Sequence, residues 1–151
     1  VAERCKEITR CVVIGRGFDF ATAHEIALKL KELAAIAAQP YSAADFMHGP
    51  LAMVGPGFPA FLVAPEGVAF PEMSRLADRL KRLGVDVIAI TDQQQLIRAA
   101  TVAIPLLCNV REWLHPLVTV LPGQLLALYL AQAKGLDPDH PRGLSKVTKT
   151  R

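Results

Sequence analysis

Apolar residues recur along this chain in two alternating rhythms. Short β-branched runs are followed by segments whose apolar positions fall three and four apart. Cys11–Ile14 is the first such run. It ends at Gly15-Arg16-Gly17, which reads as a strand entering a tight turn. Thr22 then opens a segment with Ala23, Ile26, Ala27, Leu30, Leu33, Ala34 and Ala37 on one helical face. The period predicts a helix to about Ala38, stopped by Pro40. Residues 40–59 are rich in Gly and Pro and read as a loop. Ala60–Ala64 is a second strand, Pro71–Leu83 a helix stopped by Gly84, and Val85–Ile90 a third strand. A short helix over 93–100, a short strand over Val102–Leu106 and a long helix over Trp113–Lys134 follow. Pro122 is expected to kink that last helix and Gly135 to end it. Residues 136–151 show no period.

Strands separated by helices predict βαβ units: a three-layer α/β/α domain with a parallel sheet and right-handed crossovers. The domain is read as residues 1–135, with 136–151 as an irregular tail. Open sheets of this kind bind ligands beyond the carboxyl ends of their strands. That rule points to the 15–20 turn, the 40–59 loop and the tail.

Composition narrows the class. Hydrophobic residues are 52% of 151, enough for one core. No uninterrupted apolar run reaches the roughly 18 residues of a membrane span, since Pro122, Gly123 and Gln124 break the 117–130 stretch. Glu3, Lys6, Glu7 and Arg10 leave no signal-peptide pattern. A soluble, cytoplasmic protein with no membrane partner is expected. A net charge of +3 does not argue for nucleic acid, and the basic tail reads as a solvated end. Three cysteines without CxxC spacing fit reduced, buried thiols.

Three groups of residues bear on chemistry. Gly15, Arg16 and Gly17 stand between strand and helix, where backbone amides can hold an anion or simply make a turn. Phe20 occupies the place of the third glycine of a dinucleotide fingerprint, so no nicotinamide or flavin cofactor is expected. Glu25, Lys29 and Glu32 share one helical face away from the apolar stripe. They read either as a poised acid/base group or as solvated ion pairs. His48 lies in the Gly/Pro-rich loop, where an imidazole can move protons or merely face water. His24, His115 and His140 show no ligand spacing, and no metal site is expected.

Taken in order, several segments carry a resemblance. They are Gly15-Arg16-Gly17, Ala27-Leu28-Lys29-Leu30-Lys31-Glu32, His48-Gly49-Pro50-Leu51-Ala52, Pro122-Gly123-Gln124-Leu125-Leu126-Ala127 and Asp139-His140-Pro141-Arg142-Gly143-Leu144-Ser145-Lys146. The series resembles the second sugar-isomerase (SIS) domain of the glucosamine 6-phosphate synthase family over nearly the whole chain. The resemblance implies a flavodoxin-like fold with a five-stranded parallel sheet and no cofactor. It implies Glu32 as enolisation base, Lys29 beside it, and Lys146 as the tail lysine able to form a Schiff base with an open-chain ketose. It implies His48 as the ring-opening histidine, reaching the site from a neighbouring subunit. Gly15, Arg16, Gly17, Glu25 and Ser145 are expected to bind substrate.

The family's phosphate cradle, a Ser/Thr-rich loop, lies in a first SIS domain and has no counterpart here, so association with such a domain, or a homodimer, is expected. The nucleophilic Cys of a glutamine-hydrolysing domain also has no counterpart. The ending 145–151 departs from the synthase pattern and favours an amino-sugar-phosphate isomerase/deaminase. The isomerase half of a glutamine–fructose-6-phosphate transaminase is the alternative, and a non-catalytic sugar-phosphate sensor the second.

Overall fold

Strand β1 (Arg10–Gly15) lies inside the sheet, paired in parallel with β2 (Ala37–Ser42) on one side and β3 (Pro59–Val63) on the other. The computed structural model describes residues 1–107 and 110–144. Beyond β3 come β4 (Asp86–Thr91) and β5 (Val102–Pro105), so the five parallel strands run in the order β2-β1-β3-β4-β5. That is the flavodoxin-like order.

Side chains alternate across the sheet, as the two-residue period of a strand requires. Cys11, Val13, Phe61, Val63, Ile88 and Ile90 enter one apolar layer, and Val12, Ile14, Ala60, Leu62, Val87 and Ala89 the other. The first layer is closed by α1 (Ala2–Cys5), α2 (Asp19–Ala34) and α6 (His115–Ala133). The second is closed by α3 (Ala43–Phe46), α4 (Phe70–Arg82) and α5 (Gln94–Ala99). Strands covered on both faces carry continuous apolar runs, which is why β1, β3 and β4 stand out in the sequence.

Two boundaries differ from the sequence reading. The helix expected to reach Ala38 stops at Ala34, and the stop is Ala35 in the left-handed region (φ 53°), not Pro40. The chain then enters β2, within what read as the tail of a helix and the start of a loop. Pro40 is tolerated because β2 is the sheet's edge, where a missing backbone donor breaks no interior ladder. The remainder of the expected loop holds α3 and a 3₁₀ turn, Pro50–Met53.

Helices α2 and α6 pack closely. A Cβ at Gly123 would collide with the Ile26 side chain, so glycine sets the approach there. Pro122 sits inside α6. The segment Glu112–Ala133 is, by length and composition, apolar enough to cross a membrane. Its inner side, including Thr119, Leu126, Ala127 and Leu130, is buried. Trp113, Leu117, Leu121, Leu125 and Tyr129 form an exposed apolar stripe, four residues apart, on its outer side.

Candidate active site

Helix α2 begins beside the carboxyl end of β1 and runs back to the start of β2, whose Ala37 pairs with Arg10. Glu32, in its last turn, therefore lies at the amino edge of the sheet. The open-sheet rule had pointed to the opposite edge.

Glu25, Lys29 and Glu32 do share one face. Lys29 Nζ donates to Glu32 Oε2 at 2.7 Å and stands 3.9 Å from Glu25 Oε1. One ammonium thus lies between two carboxylates, and all three side chains are about 30% exposed. The hydrogen bond to Glu32 raises the Lys29 pKa above its ordinary value; partial burial opposes the rise, and both carboxylates add to it. Lys29 is therefore a fixed positive charge at neutral pH. Gln124 of α6 donates to Glu25 Oε1 at 3.0 Å and fastens the far end of the row. Sequence reasoning assigned Gln124 no role, although it lies in the Pro122-Gly123-Gln124 motif. Only the α2–α6 packing shows its partner.

A cavity of about 280 Å³ opens beside Glu32, lined by Lys31, Glu32 and Ala35 from the end of α2 and by residues 135–137 and 140–142 after α6. The described part of the tail thus meets Glu32. Ser145 and Lys146 lie outside the described residues.

The other expected site residues stand elsewhere. His48 follows α3 in the opposite layer, between Met47 and Leu51, which pack on that layer's core. It is exposed. Arg16 turns the same way: its Nε donates to Glu72 Oε2 at 2.9 Å and its Nη1 to Ser42 Oγ at 3.4 Å. Gly15 is needed for close packing, because a Cβ there would strike the Asp19 carbonyl oxygen, and Gly17 adopts a φ of 60°. The start of α2 already holds a carboxylate, Asp19, in its first turn. Its side chain faces Thr119 and His115 of α6, and no side-chain cap bond closes the helix start.

Asp19 belongs to a buried polar group between α2 and α6. The Thr119 hydroxyl lies 2.8 Å from Asp19 Oδ1 and 2.9 Å from Thr22 Oγ1, and His115 Nδ1 is 3.7 Å from Asp19 Oδ2. With the Thr119 proton given to Asp19, Thr22 must donate to Thr119. Burial pushes the Asp19 pKa up, while Thr119 and His115 pull it partly back. Cys5 and Cys11 are buried and free, and burial pushes the Cys11 thiol up to about 12, so neither is a ready nucleophile.

A family model described as SIS domain matches residues 5–133. The chain belongs to the SIS domain family. This SIS domain is 40% identical, over 146 residues, to a glutamine–fructose-6-phosphate aminotransferase [isomerizing] of Thermococcus kodakarensis, covering 97% of this chain and 24% of that protein. It superimposes with a TM-score of 0.82 on the C-terminal domain of glucosamine-fructose-6-phosphate aminotransferase from Francisella tularensis, at 27% identity over 92% of this chain and 40% of that one. It matches a tagatose-6-phosphate ketose/aldose isomerase from Escherichia coli with a TM-score of 0.72, at 25% identity over 95% of this chain and 40% of that one. The chain spans about a quarter of the length of the curated relatives it matches.

Proposed function

We propose that this SIS domain is the isomerase half of an enzyme of the glutamine–fructose-6-phosphate aminotransferase type, moving a proton between C1 and C2 of a hexose 6-phosphate. The observation that carries this reading is Glu32: a carboxylate beside a cavity, held through one oxygen by a lysine one turn away. The Glu32 carboxylate takes a proton from the carbon next to the carbonyl and returns it to the neighbouring carbon. One group can serve both carbons because they are adjacent. Lys29 keeps a positive charge near the carboxylate and near the negative charge that develops on the enediol.

His48 enters this reading as the ring-opening group of a neighbouring subunit, and Lys146 as the amine that meets the ketose carbonyl. Gly15, Arg16, Gly17, Glu25 and Ser145 remain proposed substrate contacts. A first SIS domain or a second copy completes the site, and the exposed stripe on α6 supports such a partner surface. The location that suits this chemistry is the cytoplasm. The departure at residues 145–151 favours a deaminase, whereas the relatives' names support the aminotransferase.

Glu32→Gln in the full-length gene product tests the reading. Turnover and deuterium exchange at C1 of fructose 6-phosphate, followed by NMR, should fall at least about 100-fold, with the melting temperature kept. Near-parental exchange would remove Glu32 from the role. Amino-sugar formation that needs glutamine identifies the aminotransferase, and ammonia release from glucosamine 6-phosphate without glutamine identifies the deaminase.

A further inference from the structure

The wall of the cavity facing α2 is built by the way α6 ends. Gly135 has a φ of 69°, its N–H bonds to the Gln132 carbonyl at 2.9 Å, and the Leu136 N–H bonds to the Ala131 carbonyl at 2.8 Å. This is a Schellman stop, which turns the chain out of the helix axis in one fixed direction. Residues 136–142 are thereby laid against the end of α2, and Asp137, His140 and Arg142 line the cavity with Lys31 and Glu32.

This wall carries a pair of its own. His140 Nδ1 lies 2.8 Å from Asp137 Oδ2, while Asp137 Oδ1 accepts the Asp139 N–H at 2.9 Å. Both carboxylate oxygens are thus engaged and the imidazole is oriented. The hydrogen bond from His140, then that from the Asp139 amide, hold the Asp137 carboxyl below the usual carboxylate range. It is ionised wherever an imidazole titrates, and an ionised carboxylate only accepts. Nδ1 therefore carries the proton, and Nε2 is left to give or take one. The imidazole is open to solvent, as a group that meets a substrate must be. As a surface ion pair the contact contributes little to stability. Its consequence is the orientation and tautomer of the ring.

We propose that Asp137 and His140 form a proton-handling dyad of the Glu32 site, with His140 Nε2 exchanging a proton with the substrate's oxygens while Glu32 exchanges the carbon-bound proton. This rests on the reading of Glu32 as enolisation base. From the ketose, the Glu32 carboxylate takes the C1 proton. The C1–H electron pair becomes the C1–C2 double bond, and the carbonyl pair moves to O2, which takes the Nε2 proton of the His140 imidazolium. In the second half, neutral His140 takes the O1–H proton and the O1 pair forms the new carbonyl. The double-bond pair then takes the proton from Glu32 at C2. Both groups end as they began. Among the described residues, the charged groups around the imidazole are Lys31 and Glu32 from α2, with Lys29 behind Glu32, and Asp137, Asp139 and Arg142 from its own segment.

The test uses the full-length enzyme with fructose 6-phosphate. His140→Gln should lower kcat about 100-fold and remove one limb of its pH profile, with KM and the melting temperature little changed. Asp137→Asn should lower kcat by a smaller factor and shift the same limb. The ring nitrogens of His140, followed by ¹⁵N NMR in the parent, should respond to fructose 6-phosphate. A His140→Gln enzyme with parental kcat and an unaltered profile, beside an inactive Glu32→Gln, overturns the dyad and leaves Glu32 in place. So does a His140 ring that does not respond at saturating substrate. A fully active Glu32→Gln overturns both.

Discussion

Glu32 and His48 belong to opposite layers of one sheet. Glu32 rides on α2, which closes one apolar layer, and His48 follows α3 in the other. On the proposed reading, a site that uses both draws His48 from a second copy. Separately inactive Glu32→Gln and His48→Asn full-length chains should regain activity when mixed. Random pairing makes half the dimers mixed, each with one intact site, so recovery should approach about a quarter of the parent. Steady-state rates after co-refolding measure this. No recovery, with mixed dimers shown by mass spectrometry, would confine the site to one copy.

Lys29→Met leaves Glu25 and Glu32 facing each other without their cation. Turnover should drop by about tenfold or more, since a charge near the developing enediolate is lost. Thermal stability should move by less than about 1 kcal/mol, because partly exposed pairs contribute little. Kinetics and a melting curve on one preparation separate the two effects.

Asp19 sets a pH dependence of folding. Its pKa is raised, chiefly by burial, against the hydrogen bond from Thr119 and the nearby His115, with Glu112 adding to the rise. The folded chain thus holds this proton more tightly than the unfolded one. The stability it contributes is complete below the unfolded value of about 3.9 and is lost as pH rises through the folded value. Asp19→Asn does not titrate. Its melting temperature relative to the parent should climb as pH rises from about 4 towards neutrality. A difference that stays flat with pH would show that Thr119 and His115 cancel the burial.

Ala35 is the described non-glycine residue with positive φ. Alanine there carries about 1–2 kcal/mol of left-handed strain, and glycine removes it at the cost of a freer unfolded chain, about 0.4–1 kcal/mol. Ala35→Gly should stabilise the domain slightly, by about 0.5–1 kcal/mol, in a urea titration. Destabilisation would mean that the Cβ packs usefully at the cavity rim.

Much of the layered fold is legible in the sequence because buried parallel strands and amphipathic helices announce their periods. β2 is hidden for a physical reason: Ala37 continues the phase of α2, and Pro40 argues against a strand unless the strand is an edge. The Glu25-Lys29-Glu32 row is legible because it needs only helical geometry. Its position is not. The rule for open sheets concerns loops that follow strands, whereas α2 carries Glu32 thirteen residues past Asp19, about 20 Å along the helix. The Asp137–His140 pair is invisible to ligand spacing because a turn after a helix, not a helix or strand, brings the two together.

The Schellman stop at Gly135 also makes the length of α6 a matter of phase. Each residue added to a helix rotates the chain beyond it by about 100° and advances it about 1.5 Å. A single residue inserted between Leu130 and Gly135 would leave the sheet, α2 and most of α6 untouched. Yet it would swing Asp137, His140 and Arg142 off the end of α2 and onto another side of the domain. In lineages that keep this cavity, length changes should therefore collect before Glu112, and the final turns of α6 should keep a constant count.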